Sequence, residues 1–76
     1  MKAETALKNM RKVRAGEVRR RYNFLGNSIA GAHAETIRQL EALGLIKGKS
    51  MSLDREVMVL TKAGERWLVQ AEAKRA

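Results

Sequence analysis

Between positions 35 and 46 the chain reads Glu35-Thr36-Ile37-Arg38-Gln39-Leu40-Glu41-Ala42-Leu43-Gly44-Leu45-Ile46. Up to Leu43, apolar residues recur at a spacing of three or four, which is the period of an amphipathic helix. Gly44 is expected to end the helix, because glycine adopts the left-handed conformation of a C′ residue without steric penalty. Leu45 and Ile46 begin an extended segment, so this stretch predicts a helix that turns directly into a strand.

The predicted helix starts either at Ser28 or at about Ala32. Ser28 follows the breaker Gly26-Asn27 and is a residue type favoured at N-caps. The inward stripe, with His33 as a core or boundary histidine rather than a ligand, is predicted to consist of Ile29, His33, Ile37 and Leu40. The solvent-facing stripe is predicted to consist of Gly31, Ala34, Glu35, Arg38, Gln39 and Ala42.

Periodicity assigns the rest of the chain. A first helix is predicted over residues 3–15, ended by Gly16, and a short second helix over residues 19–25. Apolar and β-branched segments predict a hairpin with strands over residues 45–47 and 56–60 and a bend over residues 48–55, and Thr61 is expected to cap a last helix over residues 62–74. The chain is expected to form one domain, residues 1–76, of a mainly α fold with a small β-hairpin. The predicted order is helix, helix, helix, strand, strand, helix.

Sixteen lysine and arginine residues against eight aspartate and glutamate residues give a net charge of +8. The excess is concentrated in residues 8–21, which hold seven basic residues and one acidic residue. Such a cluster attracts polyanions, and on nucleic acid it gains free energy by releasing condensed counterions. An acidic partner is therefore predicted. Charge alone leaves open DNA, RNA, an anionic membrane or a solvated face that keeps the protein in solution.

Several chemistries are excluded by composition. The chain has no cysteine and a single histidine, so thiolate and histidine-cluster metal sites cannot be built. No Ser/His/Asp arrangement, phosphate-binding glycine loop or inward carboxylate pair can be assembled, so no catalytic residue, metal or cofactor is expected. The longest apolar run, residues 57–60, is far below the roughly 20 residues that cross a bilayer. A cytoplasmic protein that is not an enzyme and has no membrane contact is expected.

Two stretches carry a resemblance to a known family. Residues 40–46 fit the pattern L-x-x-x-G-L-[IV], and Val59-Leu60-Thr61-Lys62-Ala63-Gly64 fits the pattern L-T-x-x-G. Both patterns resemble those of winged helix-turn-helix DNA-binding domains, as in small bacterial or phage repressors of the arsenical-repressor and antibiotic-resistance-repressor types. The step Gly16-Glu17-Val18 is similar to the link after the first helix of arsenical-repressor-like domains.

The resemblance implies a recognition helix in the major groove and a wing on the backbone or minor groove. The residues that would read bases are Ala34, Glu35, Arg38 and Gln39, since Arg suits guanine and Gln suits adenine. The residues that would hold phosphate are Arg19, Arg20, Arg21, Asn27 and Ser28. The wing candidates are Lys47, Lys49 and Arg55.

The function expected from charge and resemblance together is sequence-specific binding of double-stranded DNA. The protein would act as a homodimeric transcriptional repressor on the nucleoid, without a small-molecule effector. Two alternatives stay open: a module that binds RNA, and a module that binds another protein. The low aromatic content, 4%, argues against single-strand recognition by base stacking.

Overall fold

The computed structural model describes residues 1–75, in which three helices accompany one four-stranded antiparallel sheet. The elements in chain order are α1 (Ala3–Arg14), β1 (Arg19–Asn23), β2 (Gly26–Ala30), α2 (Ala34–Ala42), β3 (Ile46–Ser52), β4 (Arg55–Leu60) and α3 (Lys62–Arg75). The strands lie side by side in the order β2-β1-β4-β3. The two hairpins β1–β2 and β3–β4 are therefore joined into one sheet through the pairing of β1 with β4.

This architecture shows that the predicted mainly α fold, with three helices before one hairpin, is wrong. The error lies between residues 19 and 33, where the chain forms a β-hairpin instead of a helix and the start of a second one. Of the two proposed helix starts, Ser28 is wrong, because it lies in β2, whereas the start at about Ala32 lies two residues before Ala34, where α2 begins. His33, predicted to be a core or boundary histidine on the inward stripe, is exposed at the position before α2.

Tertiary pairing explains the difference. β1 is an interior strand, hydrogen-bonded to β2 on one side and to β4 on the other. Such pairing outweighs the weak local preference of an arginine-rich segment. The turn is compatible with the hairpin: the N–H of Leu25 donates to the Asn23 side chain at 2.8 Å, and Gly26 has φ of +135°. A left-handed φ of this kind is accessible to glycine at little cost.

The first helix, the last helix and the second strand of the predicted hairpin are confirmed within two residues. β3 is longer than predicted, because it continues to Ser52 through the first five residues of the predicted bend. Gly44 has a φ of +77°, as expected of a helix C′ residue. Thr61 caps α3, since its hydroxyl oxygen accepts a hydrogen bond from the N–H of Gly64 at 3.0 Å.

The three helices pack on one side of the sheet, here called the inner face. The buried apolar side chains that join helices to sheet are Leu7, Met10, Val13, Val18, Ile37, Leu40, Ile46, Met58 and Leu68. α3 approaches β3 closely at Gly64, where a Cβ atom would overlap the carbonyl oxygen of Leu45. None of the helices within residues 1–75 is long and apolar enough to cross a membrane.

Candidate functional site

The three consecutive arginines of β1 are divided between the two faces of the sheet. Successive side chains of a strand point to opposite faces, and residues paired across strands share a face. Arg20 points to the inner face, where its side chain is only 11% exposed. Arg19 and Arg21 point to the opposite, outer face and are exposed. The three consecutive arginines, which were expected to hold phosphate together, therefore lie on two different surfaces.

Arg20 is held by an ion-pair network between β1, α2 and β4. Its guanidinium donates two hydrogen bonds to the carboxylate of Glu41, at 2.7 and 2.9 Å, and its Nε donates to Glu56 Oε1 at 3.0 Å. The hydrogen bonds to Glu41 are the main cause of a raised pKa for Arg20. A guanidinium whose donors are used in this way is not available to a phosphate, in contrast to the role expected for it.

Tyr22 completes the network on the same face of β1. Its hydroxyl donates to Glu56 Oε1 at 2.7 Å, and its ring lies 5.4 Å from the guanidinium carbon of Arg20. The Tyr22 hydrogen bond, with Arg20 second, lowers the pKa of Glu56, and it raises the pKa of Tyr22. The ionised Glu56 therefore stabilises the fold above its ordinary pKa of 4.5, and this stabilisation is lost as the pH falls through the lowered value.

Tyr22→Phe is expected to raise the pKa of the Glu56 carboxyl toward its ordinary value, because the variant removes the donor that most favours the charged form. Carbon-detected NMR titration of the glutamate carboxyls measures this directly. Glu72, whose pKa is lowered by Arg14 at a separate surface, provides the internal control and is expected not to move. An unchanged Glu56 pKa would contradict the hydrogen bond.

The outer face carries the candidate site. Register places Arg19 opposite Val57, Arg21 opposite Arg55, and Lys49 opposite Val57 on the other side of β4. The outer face, so defined by its side chains, consists of Arg19, Arg21, Asn23, Ser28, Ala30, Lys47, Lys49, Ser52, Arg55, Val57 and Val59. These strand residues include five cations and no carboxylate, and Asp54 lies at the end of the face, in the turn before β4, where it accepts a hydrogen bond from Ser52. Within residues 1–75 none of the five lies in an ion pair.

The spacing of the sheet brings these cations together. Neighbouring strands are about 4.8 Å apart, and alternate residues of one strand are about 7 Å apart. The backbones of Arg19, Arg21 and Arg55, on the two middle strands, are therefore separated by no more than one strand spacing and one two-residue repeat. They line one depression with Ser28, Ala30 and Met51, and Arg20, between Arg19 and Arg21 in β1, also borders it. Long, flexible cationic side chains at this spacing can contact several phosphates of one polyanion at once.

The base-reading residues expected on the helix lie elsewhere. Glu35, Arg38 and Gln39 are exposed on α2, whereas Ala34 is half-buried. The Arg38 guanidinium approaches the side chain of Asn27 at 3.5 Å, on the inner side of the sheet. The structure thus brings Ser28 to the phosphate and wing candidates of the outer face, and leaves Asn27 and the helix residues on the other side.

Two parts of the surface escaped sequence reasoning. Met51 lies on the outer face because it follows Lys49 by two residues in β3, which extends beyond the strand end predicted at residue 47. On α1, Lys8 and Lys12 line a depression shared with His33 and Thr36 of the α2 start. The position of Lys8 and Lys12 beside the start of α2 could have been predicted only from the correct first residue of that helix, Ala34.

Comparison of the chain with protein-family models, with curated proteins and with solved structures finds no match.

Proposed function

We propose that the protein binds double-stranded DNA through the outer face of its sheet. The observation that carries the proposal is the separation of charge across β1 and β4. The two carboxylates on the inner side of these strands, Glu41 and Glu56, are bound to Arg20. The carboxylate of Asp54, in the turn before β4, accepts a hydrogen bond from Ser52 Oγ at 3.2 Å. The strand residues of the outer face are left with positive charge alone, which suits the density of phosphates along a duplex.

The width of the sheet determines how a duplex would lie on this surface. Four strands about 4.8 Å apart are wider than the major groove of B-DNA, which is about 12 Å wide, so the outer face would lie across the groove and contact the phosphates on its two sides. β1 and β4 are the middle strands, and they carry Arg19, Arg21 and Arg55 outward. Arginine can donate paired hydrogen bonds to guanine or to phosphate, so these three side chains serve in the groove or at its walls. Lys47 and Lys49, on the edge strand β3, would contact the adjacent backbone.

The exposed side of α2 is the competing surface for duplex DNA. It carries Arg38 and Gln39 together with the acidic Glu35. Because α2 packs on the inner face, one straight duplex cannot lie flat against both surfaces. The higher charge of the outer face is the reason for assigning the duplex to it.

Arg38→Ala is accordingly expected to change duplex affinity by no more than about twofold and to leave base preference intact, since Arg38 would stand away from the DNA. The measurement is competition binding with duplexes substituted at each position. Loss of about 1–3 kcal/mol of discrimination at one base pair would instead identify α2 as the reading element and contradict the assignment.

The regulatory part of the proposal is a homodimer that represses transcription from an inverted repeat on the nucleoid. A small domain benefits from extra burial, and two-fold symmetry in the protein matches two-fold symmetry in the site. An apolar groove between α1 and α3, lined by Ala3, Leu7, Trp67 and Ala71, supports it. Trp67 is half-buried there.

Sedimentation equilibrium tests this part of the proposal. A dimer that the substitution Trp67→Ser dissociates supports it. A protein that is a monomer when bound to a duplex with one half-site contradicts it.

The direct test of binding is a salt titration with three polymers of equal length: duplex DNA, single-stranded DNA and duplex RNA. The proposal expects preference for duplex DNA and an affinity that falls steeply with salt. Preference for RNA would favour the RNA-binding alternative. No binding to any polymer at low salt would overturn the proposal and leave a protein-interaction module.

A further inference from the structure

Two turns at one end of the sheet expose large apolar side chains. Phe24 and Leu25, between β1 and β2, are 97% and 85% exposed, and Leu53, between β3 and β4, is fully exposed. Two-residue hairpin turns favour Asn, Asp and Gly, so turn chemistry does not account for these residues. Exposed apolar groups of this size that lie together mark a surface of interaction.

The two turns are neighbours. Arg21 pairs with Arg55, and one step nearer the turns the N–H of Tyr22 donates to the carbonyl oxygen of Asp54 at 2.7 Å. Leu53 therefore lies beside the end of β1, next to the turn that holds Phe24. Met51, exposed at the bulge, continues this surface onto the outer face. We call the four side chains the apolar tip: Phe24, Leu25, Met51 and Leu53.

The charges around the apolar tip indicate its occupant. Arg21 and Arg55 lie just behind the tip on the outer face, and Arg19 extends the same row away from it. On the inner face Arg20 is bound to Glu41 and Glu56, and Arg38 reaches Asn27 at 3.5 Å. Asp54, in the β3–β4 turn, adds one negative charge at the tip. A tip that enters an anionic bilayer favours cations on all sides, whereas a duplex lying along the outer face needs them mainly on that face. The outer face carries more positive charge beside the tip than the inner face does, and this asymmetry favours a duplex.

We propose that the apolar tip inserts between base pairs and kinks the DNA that lies on the outer face. This inference rests on the proposed function. Apolar side chains such as Phe and Leu act as wedges between base steps when they enter from the minor groove, and the duplex bends by about 20–90° where they do so. The tip, at the end of the sheet, would enter the minor groove next to the major groove that the outer face covers. Phe24 supplies an aromatic face for stacking and Leu53 a second wedge alongside. The arginine row holds the phosphates on the outer-face side of the kink.

The test compares binding and bending on one duplex. A duplex of about 30 base pairs, with a donor and an acceptor dye at its ends and 2-aminopurine at its centre, is titrated with wild-type protein and with the variant Phe24→Ser/Leu25→Ser/Leu53→Ser. The matched control is Leu43→Ser/Val69→Ser, which removes exposed apolar side chains from α2's end and from α3. The expected result is bending and 2-aminopurine unstacking with wild type and control, and loss of both signals with the tip variant.

The tip variant is expected to bind duplex DNA with affinity reduced by less than about tenfold, because the cations remain. Wild-type binding without bending would overturn the wedge and leave the proposed function standing. Absence of duplex binding would overturn both. Tip-dependent flotation with vesicles of phosphatidylcholine and phosphatidylserine, together with no bending, would assign the tip to a lipid surface instead. An unchanged thermal transition of the variant confirms that it is folded.

Discussion

Replacing Arg19, Arg21 and Arg55 together by alanine is expected to lower the affinity for duplex DNA on the order of 100-fold at about 0.1 M salt. Each lost phosphate contact reduces the slope of log affinity against log salt by about 0.9, so three contacts reduce it by about 2.7. The three side chains are exposed, and none is in an ion pair within residues 1–75, so their removal does not break the fold. Fluorescence anisotropy over a range of salt concentrations measures both quantities.

A variant of equal charge separates the site from the net charge. Lys2→Ala/Lys62→Ala/Arg66→Ala removes three exposed cations from the α1 start and from α3. Its affinity is expected to fall by less than about threefold, because long-range attraction alone is largely screened at this ionic strength. Equal losses in the two triple variants would show that binding follows total charge, and the outer face would no longer be a site.

The sequence predicted the segments whose signals are local. The first helix follows from its three-or-four periodicity, and Gly44 and Thr61 end and begin helices by chemistry that operates within a few residues. The β3–β4 hairpin follows from β-branched and apolar residues around Val57. None of these predictions required knowledge of what the segment packs against.

The segment from residue 19 to residue 33 could not be predicted in this way. Its residues include three consecutive arginines and a Phe-Leu turn, neither of which is typical of a strand or of a hairpin turn. Its structure is determined by pairing with β4, more than thirty residues later, and by Arg20 bridging to Glu41 and Glu56. Pairing between segments so far apart in the chain produces no periodic pattern in the local sequence.

The pairing of β1 with β4 also determines which residues form the candidate site. Charge counting located the basic cluster, but only the alternation of a strand shows that Arg20 faces away from its two neighbours. A helix over residues 19–25 would have spread the three arginines over most of its circumference. The site residues that the sequence grouped by proximity are therefore regrouped by face, and Lys47 and Lys49 join Arg19 and Arg21.

Arg20→Met is expected to destabilise the protein by about 2–3 kcal/mol, although the substitution removes only one of sixteen cationic residues. Removing one partner of a buried ion pair costs about 3–5 kcal/mol. The cost is smaller here because the side chains of Glu41 and Glu56 are 35% and 22% exposed to solvent. Two carboxylates would face each other without their shared cation. In a domain of this size the loss corresponds to a fall in Tm of about 10–20 °C, measurable by circular dichroism.

The neutral variant Arg20→Met/Glu41→Gln/Glu56→Gln distinguishes an uncompensated charge from lost packing. It is expected to recover most of the stability, because no carboxylate is left without a partner. A triple variant as unstable as Arg20→Met would show that the guanidinium acts by filling space. Either folded variant is expected to keep the salt slope of the wild type within about half a unit, since Arg20 faces away from the DNA. A slope lowered by about one unit would return Arg20 to the phosphate contacts, and the division of β1 into two faces would not hold in the complex.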